Sequence, residues 1–391
     1  MNSELVASAA ARLEWIRSRM TLLAEVREQF TISRPFAGHR IGMSLHLEPK
    51  TAVLLETLAA GGAEIVATGN HGSTQDDIVA FLREQGMTIF GTRDDTQQQH
   101  HENLLSVVAA QPDILLDNGA DLVAMIAESG QSSHIIGGTE ETSSGGYRLR
   151  AELADYVAFP VIVINDSPLT EMGDRHSVGQ SVVESFMRIT NLMVPGRRFV
   201  VAGYGWCGRG IAQYLRALGG KVAVVEVDEI KAFEAALDGY RVANVLDLAE
   251  WGEVFITATG HPQVLGTDFF EVVADGAMLV NCGHFSWEID VLALRDLATD
   301  STVIDTAIER IDLPGDRHIT LLADGRMVNL AGREAKGNSI ESMDLGFLLQ
   351  VLSLARIATA AETLESGAQP VPDTINREIA RRMLATMGAD R

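Results

Sequence analysis

The sequence predicts an α/β protein built from two doubly wound domains, one inserted into the other, with a short helical tail. Apolar runs of strand length alternate with helical patterns along most of the chain, which is typical of a mostly parallel sheet with both faces covered. A second such series begins near residue 198, and a helical pattern returns near residue 338. We therefore expect a parallel-sheet domain over residues 1–178 and 338–370, the inserted domain over 179–337, and a tail helix over 371–391.

Composition and charge exclude several classes of protein. A chain of 391 residues is long enough for two domains, and 46% hydrophobic with 21% charged residues is ordinary for a soluble globular protein. A formal charge of −22 argues against binding of nucleic-acid phosphates. The two cysteines, Cys207 and Cys282, are too few for a disulfide framework and fit a reducing compartment. With no signal peptide and no apolar run of membrane-spanning length, we expect a cytoplasmic protein without membrane or nucleic-acid partners.

Each predicted strand ends in a polar loop. Because parallel strands end at the same edge of a sheet, these loops should converge there. The strands of the first domain are predicted near residues 40–45, 63–67, 87–89, 113–116, 135–136 and 159–164. Those of the inserted domain are predicted near residues 198–202, 221–225, 254–258, 278–281 and 302–304. From residue 369 we expect a proline-containing linker that leads to the final helix.

A glycine pattern after the first strand of the inserted domain predicts a Rossmann-type dinucleotide site. Gly203, Gly205 and Gly208 lie between an apolar strand and a helix, where glycines let the backbone approach a pyrophosphate. Glu226 ends the next strand and is placed to accept from both ribose hydroxyls of an adenosine. No arginine follows it to bind a 2′-phosphate, so NAD is favoured over NADP. Two later strand-end loops are either ordinary turns or cover the nicotinamide; they contain Thr259, Gly260, Asn281, Gly283 and His284.

Seven polar side chains in loops of the first domain predict a second site. One histidine at a strand end is more often a helix cap than a catalyst, but seven polar groups in such loops are harder to dismiss. Two of them are adjacent glutamates, which cannot both face one cavity. No His/Cys cluster has the spacing of a zinc site, and we expect no metal. The seven are His46, Asn70, Asp117, Asp121, Glu140, Glu141 and Asp174.

The stretch NDSPLTEMGDRHS, residues 165–177, follows an apolar strand and is predicted to be a polar loop. No lysine occurs in it, and none lies between Lys50 and Lys221. Chemistry in this loop therefore depends on carboxylate, amide, guanidinium or imidazole groups. Its candidates are Asn165, Asp166, Asp174, Arg175 and His176.

Nine stretches, in order along nearly the whole chain, resemble the adenosylhomocysteinase family. They are SLHLEPKTAVLLETLAAGGAEI, GNHGSTQDD, LLDNGADL, GGTEETSSGGYRLR, VINDS, VVAGYGWCGRGIA, VVEVDEIKAFEAALDGYRV, ITATGHPQVL and VNCGHFSWEID. The tail PVPDTINREIARRMLATMGADR is similar to that of the shorter, archaeal-type branch of the family, without the Lys/Tyr-bearing extension of longer members.

The resemblance implies an NAD-dependent reaction on a purine nucleoside, in a homodimer or homotetramer. In that family, NAD⁺ oxidises the ribose 3′-hydroxyl, and a base then removes the acidified C4′ hydrogen so that the 5′ substituent leaves. Water adds to the resulting alkene, and the cofactor returns the hydride. The protein supplies binding and proton transfer, whereas the cofactor supplies the redox chemistry.

Family roles can be carried over onto matching residues of this sequence. The resemblance implies that His46 is an acid/base group, Glu141 grips the ribose hydroxyls, Asp174 matches a catalytic-loop aspartate, and His284 faces the nicotinamide. Further substrate contacts are expected from Glu48, Asn70, Thr74, Gln75, Asp121 and Asn165. Cofactor contacts are expected from Thr142, Ser143, Ser144, Gly203, Gly205, Trp206, Cys207, Gly208, Glu226, Thr259, Gly260, Asn281, Gly283, His284 and Asn329.

Three positions depart from the pattern of the family. Thr170 lies where the family has a lysine that helps to take the 3′-hydroxyl proton, and Asn118 replaces a carboxylate proposed as the C4′ base. The family's Gly-His-Pro is absent from NLAGREAKGNSIESMDLGF, which is about two residues longer. Losing one acid–base group typically costs about 10²–10⁴ in rate, so other groups must take over. We expect Thr170, Asn118, His176 and Lys336 to take part.

Three functions are compatible with these departures. The one we favour from the sequence is a diverged NAD-dependent nucleoside dehydratase, in which elimination stops before water is added. A ketohexose nucleoside of antibiotic metabolism would suit its altered pocket. The second is a genuine adenosylhomocysteinase with rearranged catalytic groups. The third is a non-catalytic NAD- and nucleoside-binding regulator.

Overall fold

The computed structural model describes residues 2–130, 132–283, 286–331 and 334–388. The chain forms two compact α/β units, Met1–Glu171 with Ile340–Arg391, and Met172–Ser339. Each unit has one large sheet that contains parallel strands with helices between them, so the predicted α/β fold is confirmed. The predicted domain boundaries lie after residues 178 and 337, whereas the units divide after residues 171 and 339.

The elements follow the alternation expected from the sequence. The first part of the chain contains α1 (Asn2–Arg17), α2 (Thr21–Ser33), β1 (Arg40–Ser44), α3 (Pro49–Ala60), β2 (Glu64–Thr68), α4 (Asp76–Glu84), β3 (Thr88–Phe90), α5 (Gln97–Ala109), β4 (Ile114–Asp117), α6 (Asp121–Ser129), β5 (Gly137–Glu140), α7 (Ser143–Ala151), β6 (Pro160–Val163) and α8 (Pro168–Thr190). The second unit continues with β7 (Arg198–Ala202), α9 (Trp206–Ala217), β8 (Lys221–Val225), α10 (Glu229–Leu237), β9 (Arg241–Val242), α11 (Val245–Leu248), β10 (Val254–Thr257), α12 (Thr267–Val272), β11 (Ala277–Asn281), α13 (Val291–Leu297), β12 (Asp300–Asp305), β13 (Ile308–Leu313) and β14 (Arg317–Leu322). The chain returns to the first unit with α14 (Ile340–Ala360), β15 (Gly367–Pro370) and α15 (Asp373–Thr386).

The sheet of the first unit has seven parallel strands in the order β15-β6-β5-β4-β1-β2-β3. The chain moves outward in one direction from β1 to β3 and in the other from β4 to β6. Between β1 and β4 the strand order therefore reverses, and the loops that follow these strands leave a crevice between them. Ligands of doubly wound folds bind at this switch point, so the loops after β1 and β4 are the expected ligand site.

The sheet of the second unit has eight strands in the order β12-β13-β14-β11-β10-β7-β8-β9. Here the order reverses between β7 and β10, which makes the loops after these strands the expected ligand edge. One prediction needs correction: a single strand was expected near residues 302–304, but three strands lie between residues 300 and 322. β13 runs antiparallel to both β12 and β14. β12 is solvent-exposed along its whole length, so no alternation of apolar and polar residues marked this end of the sheet.

The stretch NDSPLTEMGDRHS is mostly helical, and its prediction as a loop is wrong. A single 3₁₀ turn covers Ile164–Asp166, and helix α8 begins at Pro168. Ser167 accepts a hydrogen bond from the Leu169 N–H at 3.1 Å, and proline is well suited to the first helical position because its missing N–H needs no partner. Thr170, Asp174, Arg175 and His176 therefore lie on a helix.

Residues 367–370 form a strand, so the predicted linker from residue 369 is also wrong. β15 pairs in parallel with β6 at the edge of the first sheet, with Gln369 beside Ile162 and Pro370 beside Val163. A proline is tolerated there because an edge strand has one side without a neighbour. The segment GAQP has no strand-like alternation, which explains why the sequence did not reveal it.

Helix α14 is the one described helix with the length and apolarity of a membrane span. The mean hydropathy over its most apolar window, within Ile340–Thr363, is 1.4, so the expectation that no run reaches such a length needs correction. The helix is nevertheless a core element: Phe347, Leu348, Val351 and Leu354 are buried in the main hydrophobic cluster of the first unit.

The same helix fixes the start of α2. Asp344 on α14 accepts hydrogen bonds from the N–H groups of Leu22 and Leu23 at 3.0 and 2.9 Å. These two groups lie in the first turn of α2, where backbone donors have no partner within the helix, and Met20 before it gives no side-chain cap. Asp344 therefore caps a helix more than 300 residues away in sequence.

Replacing Asp344 by alanine should loosen α2. The change leaves two buried N–H groups without an acceptor, which costs about 1–2 kcal/mol for a helix cap. We expect faster amide hydrogen exchange over residues 21–33, with a lower thermal midpoint. Glu341→Ala, an exposed position on the same helix, is the matched control and should change neither measurement appreciably. Unchanged exchange in Asp344→Ala would show that the cap is dispensable.

Candidate active site

His46 lies two residues beyond β1, at the switch point of the first sheet. Its Nδ1 is 2.7 Å from the Ser73 hydroxyl, and that hydroxyl donates to the backbone carbonyl of Asn70 at 3.1 Å. With the single Ser73 proton assigned to that carbonyl, the ring donates through Nδ1–H to the Ser73 oxygen. The neutral imidazole then carries its basic lone pair on Nε2, which suits an acid/base group.

Asn70 and Asn118 join the loops after β2 and β4. The Asn70 amide nitrogen donates to the Asn118 side-chain oxygen at 2.9 Å, and both side chains are buried. The Asn118 backbone N–H donates to Asp117 at 2.9 Å, which fixes the turn. An amide cannot take up a proton as a carboxylate does, so Asn118 in this arrangement orients neighbours by hydrogen bonding.

The adjacent glutamates Glu140 and Glu141 occupy different environments. Glu140 is fully buried and accepts hydrogen bonds from the N–H groups of Gly119 and Ala120 at 2.9 Å. Glu141 is partly exposed and accepts from the side-chain amide of Gln350 on α14. Only Glu141 is thus accessible, as expected from the pair's positions in sequence.

Burial controls the charge state of the carboxylates beneath this edge. Asp117 and Glu140 are opposite one another in the register of β4 and β5. Burial and the nearby Glu140 raise the pKa of Asp117 well above its ordinary value. Burial also raises the pKa of Glu140, against the opposing effect of its hydrogen bonds to Thr142, Gly119 and Ala120.

A buried ion pair follows His46. The Lys50 ammonium is 2.8 Å from a Glu48 carboxylate oxygen, and both side chains are 6% exposed. Glu48 was among the expected substrate residues, whereas Lys50 was missed because two charged residues so close in sequence usually indicate a solvated surface. The available signal was the strand-end position of Glu-Pro-Lys at the start of α3.

The other predicted residues of the first unit have varied partners. Thr74 donates to the Asn70 carbonyl at 3.2 Å and belongs to the same loop network. Gln75 accepts from Arg12 on α1 at 3.3 Å and is not brought to that network. Asp121 accepts from Arg148 at 2.8 Å. Thr142 caps α7, Ser144 donates to Thr142 at 3.1 Å, and Asn165 donates to Ser143 at 2.6 Å.

The candidates on α8 differ in their surroundings. The Thr170 hydroxyl donates to the Ile164 carbonyl at 2.8 Å, so its proton is already engaged. Desolvation raises the pKa of Asp174 to about 7, which puts its ionisation in the range that general acid/base catalysis needs. Arg175 donates to Gln213 at 2.9 Å, and His176 is exposed.

The glycine motif has the geometry of a dinucleotide cradle. Gly203 has a φ of +96°, and a methyl group on Gly208 would overlap the Gly203 carbonyl, so both positions require glycine. Around Gly205, in contrast, no described atom lies within 4 Å of an added methyl group. Gly205 directly precedes α9 and has no side chain to cap it, which leaves the first-turn N–H groups for an anion.

Glu226 is anchored at the end of β8. Its carboxylate accepts from the N–H groups of Tyr204 and Val227 at 2.7 Å and of Asp228 at 3.0 Å. Because one of these donors lies in the glycine loop, Glu226 is tied to the loop that would hold the pyrophosphate. A carboxylate has about four lone-pair sites, and these three contacts leave one for a ribose hydroxyl.

The loops after β10 and β11 converge on Glu288, a fully buried residue that the sequence reading did not single out. The Thr259 N–H and hydroxyl donate to it at 2.8 and 2.7 Å, and the Gly260 N–H at 2.9 Å. Asn281 accepts from the Gly283 N–H at 2.8 Å and from the Thr257 hydroxyl at 3.0 Å. The predicted His284 lies outside the described residues.

Three further cofactor candidates lie in the same unit. Trp206 opens α9 and is 37% exposed, with the Arg209 guanidinium 5.0 Å from its ring centre. Burial raises the pKa of the Cys207 thiol well above its ordinary value, so it is no thiolate nucleophile at neutral pH. Asn329 donates to Ser181 at 3.0 Å, but its buried side-chain oxygen accepts no hydrogen bond from a described residue. Lys336 is exposed.

The residues present fit a dinucleotide cofactor. The second unit contains the open start of α9 at Gly205, the anchored carboxylate of Glu226 and the buried amide oxygen of Asn329, which accepts no hydrogen bond from a described residue. The family model described as "S-adenosyl-L-homocysteine hydrolase" matches residues 5–134, and that described as "S-adenosyl-L-homocysteine hydrolase, NAD binding domain" matches residues 174–335. An adenosylhomocysteinase of Archaeoglobus fulgidus is 42% identical over 97% of this chain and 94% of its own length. The chain belongs to the adenosylhomocysteinase family.

Other members of the adenosylhomocysteinase family are equally similar. An S-inosyl-L-homocysteine hydrolase of Methanopyrus kandleri is 42% identical over 97% of this chain and 90% of its own length. An adenosylhomocysteinase of Sulfurisphaera tokodaii is 41% identical over 97% of this chain and 92% of its own length. The chain is therefore an NAD-dependent enzyme of this family, and NAD is its cofactor.

Adding a methyl group at Gly205 should weaken cofactor binding without changing the stability of the fold. Gly205→Ala meets no described atom within 4 Å, so the thermal midpoint of the protein should be unchanged, whereas the methyl enters the space that a pyrophosphate needs. We expect NAD affinity to fall at least about tenfold, measured by calorimetric titration. Gly346→Ala, also free of close described atoms but on α14, is the control. Unchanged NAD affinity in Gly205→Ala would mean that the dinucleotide does not pass this glycine.

Proposed function

We propose that this chain hydrolyses the thioether of an S-nucleosyl-homocysteine whose base is a purine, adenine or hypoxanthine. The observation that carries the proposal is the 42% identity, over 97% of the chain, to both an adenosylhomocysteinase and an S-inosyl-L-homocysteine hydrolase. The hydrogen-bonded group of His46, Asn70 and Asn118 at the first switch point supports it, because it joins a basic imidazole to oriented amides.

In this proposal His46 moves protons at Nε2. With Nδ1 assigned as the donor to Ser73, the other ring nitrogen is the proposed base. Asn118 binds and orients the substrate by hydrogen bonding. Another group acts as the base, a role that the family gives to a carboxylate at this position. When bound, NAD⁺ supplies the reversible oxidation of a ribose hydroxyl that makes the neighbouring C–H acidic enough to remove.

Glu141 is proposed to hold the ribose. Its carboxylate accepts from Gln350, whose side chain is fully buried on the core helix α14, so the acceptor is supported by rigid packing. Carboxylate oxygens are acceptors for hydroxyl donors. Asp174, with its pKa near 7, is proposed as a second proton-transfer group.

Elimination of water is the second candidate function, and it is the dehydratase that the sequence favoured. The specific observation behind it is that Thr170 and Asn118 occupy positions where the resemblance implies a lysine and a carboxylate. The resemblance gives those groups roles at the 3′-hydroxyl and at C4′, so their replacement indicates an altered set of proton carriers, which is compatible with a different substrate and end point. The identity to named hydrolases makes thioether hydrolysis the first candidate.

The remaining expectations belong to the same proposal. The unit that contains residues 1–171 is proposed to bind the nucleoside, and the unit over residues 172–339 the cofactor. Assembly as a homodimer or homotetramer and a cytoplasmic location stay predictions. So do the roles of His176, Lys336 and His284.

Product analysis separates the candidate functions. We would incubate the NAD-loaded protein with S-adenosyl-L-homocysteine, S-inosyl-L-homocysteine and a ketohexose adenine nucleoside, then assay free thiol and product mass. Hydrolysis predicts homocysteine and a nucleoside from one of the thioethers. Dehydration predicts a product lighter by one water from the ketohexose nucleoside, without thiol. Unchanged substrates throughout would contradict both and favour a binding protein without catalysis.

The pH dependence tests Asp174. Because the pKa of Asp174 is raised to about 7, the ionised fraction falls as pH falls through 7, by roughly tenfold between pH 8 and pH 6. If the carboxylate acts as a base, kcat/KM should fall by the same factor over that range. Asp174→Asn should be slower by about 10²–10⁴ and lose this limb of the profile. Glu171→Gln, on the same helix, is the control. An unchanged limb in Asp174→Asn would assign it to another group.

A further inference from the structure

Glu288 connects two neighbouring loops of the second unit. One of its oxygens accepts from the Thr259 N–H and hydroxyl at 2.8 and 2.7 Å, and the other from the Gly260 N–H at 2.9 Å. These donors lie in the loop after β10, whereas Glu288 itself follows β11. The Glu288 carboxylate, which follows β11, thus fixes the turn of the loop after β10.

Glu140 does the same in the first unit. One oxygen accepts from the Gly119 N–H at 2.9 Å and from the Thr142 N–H and hydroxyl at 2.7 Å. The other accepts from the Ala120 N–H at 2.9 Å. Gly119 and Ala120 follow β4, and Thr142 follows β5, so this carboxylate also bridges the loops of neighbouring strands.

The two glutamates share a backbone feature. Each binds the N–H of a residue in the left-handed conformation: Ala120 has a φ of +59° and Gly260 a φ of +74°. For a non-glycine residue such as Ala120 this conformation is unfavourable, and it persists only where surrounding contacts favour it. The carboxylate hydrogen bond is such a contact.

Each carboxylate also packs against a nearby glycine. A methyl group on Gly145 would overlap the carboxylate of Glu140, and one on Gly283 would overlap that of Glu288. Gly145 lies in the first turn of α7, and Gly283 follows β11. A larger residue at either glycine would therefore displace the carboxylate.

We propose that Glu140 and Glu288 are positioning residues, Glu140 for the nucleoside loops of the first unit and Glu288 for the cofactor loops of the second. Neither side chain reaches solvent, so neither is expected to touch a ligand. Glu140 acts through Asn118 and Glu141, which flank the loops that it holds, and Glu288 through Thr259, Gly260 and Gly283. The part concerning Glu140 rests on the proposed nucleoside function, whereas the part concerning Glu288 rests only on NAD.

The isosteric variants Glu140→Gln and Glu288→Gln test the proposal. A glutamine amide has one accepting oxygen, and its NH₂ group faces backbone N–H donors, so one loop loses its partner while side-chain volume is retained. We would titrate each full-length variant with NAD, and then the NAD-loaded variant with adenosine, by calorimetry. Glu128→Gln and Glu271→Gln, exposed glutamates of the first and second units, are the controls.

The expected result is a crossed pattern. Glu288→Gln should weaken NAD binding about tenfold or more and leave adenosine binding to the loaded protein within about twofold; Glu140→Gln should do the reverse. Equal losses of both affinities in both variants would show general destabilisation and overturn the proposal. So would two variants that bind both ligands as the unmodified protein does.

Two further variants keep the test decisive if a glutamine variant does not fold. Gly145→Ala and Gly283→Ala retain both carboxylates but displace them, and should give the same crossed pattern in weaker form. If these change neither affinity, the proposal fails. If the unmodified protein binds no adenosine, the proposed nucleoside function fails, whereas the NAD titration of Glu288→Gln still decides the role of Glu288.

Discussion

Hydrogen bonds from loop N–H groups to a buried carboxylate hold the loops after neighbouring strands together in each unit of this chain. At a switch point the chain leaves the sheet, and its backbone donors lose the partners that a strand would provide. Glu140 and Glu288 each accept from donors of two or more residues in the adjoining loops. Asn118 and Glu141 are next in sequence to residues that Glu140 binds, and Thr259 and Gly260 donate directly to Glu288.

This arrangement has an electrostatic cost. Burial raises the pKa of Asp117, Glu140 and Glu288, which means that solvent no longer stabilises their charge. Backbone donors replace part of that solvation. The same effect acts on Asp174, where no described hydrogen-bond donor offsets the desolvation and the pKa reaches about 7. A poorly solvated carboxylate destabilises the folded state when it is charged, but its raised pKa suits it to proton transfer.

The sequence predicted those features that depend on local pattern. The glycine motif, Glu226 and the strand-end candidates lie at the carboxyl ends of strands, as periodicity and turn chemistry indicated. Contacts between distant segments were not predictable: Gln350 meets Glu141, and Asp344 caps α2, only because α14 returns to the first unit. The pair Ser167-Pro168 is a helix-start signal in the sequence, but the polar residues that follow it favoured a loop.

Membership of the adenosylhomocysteinase family sets the class of chemistry, and the central claim is that the enzyme removes the C4′ proton of a nucleoside. Incubation of the NAD-loaded protein with adenosine in D₂O, followed by proton NMR, tests this step whatever the leaving group is. The account predicts loss of the C4′ proton signal as deuterium replaces it, with the other ribose protons retained. Full retention of that signal at high protein concentration would contradict the proposed chemistry and leave a nucleotide-binding protein in its place.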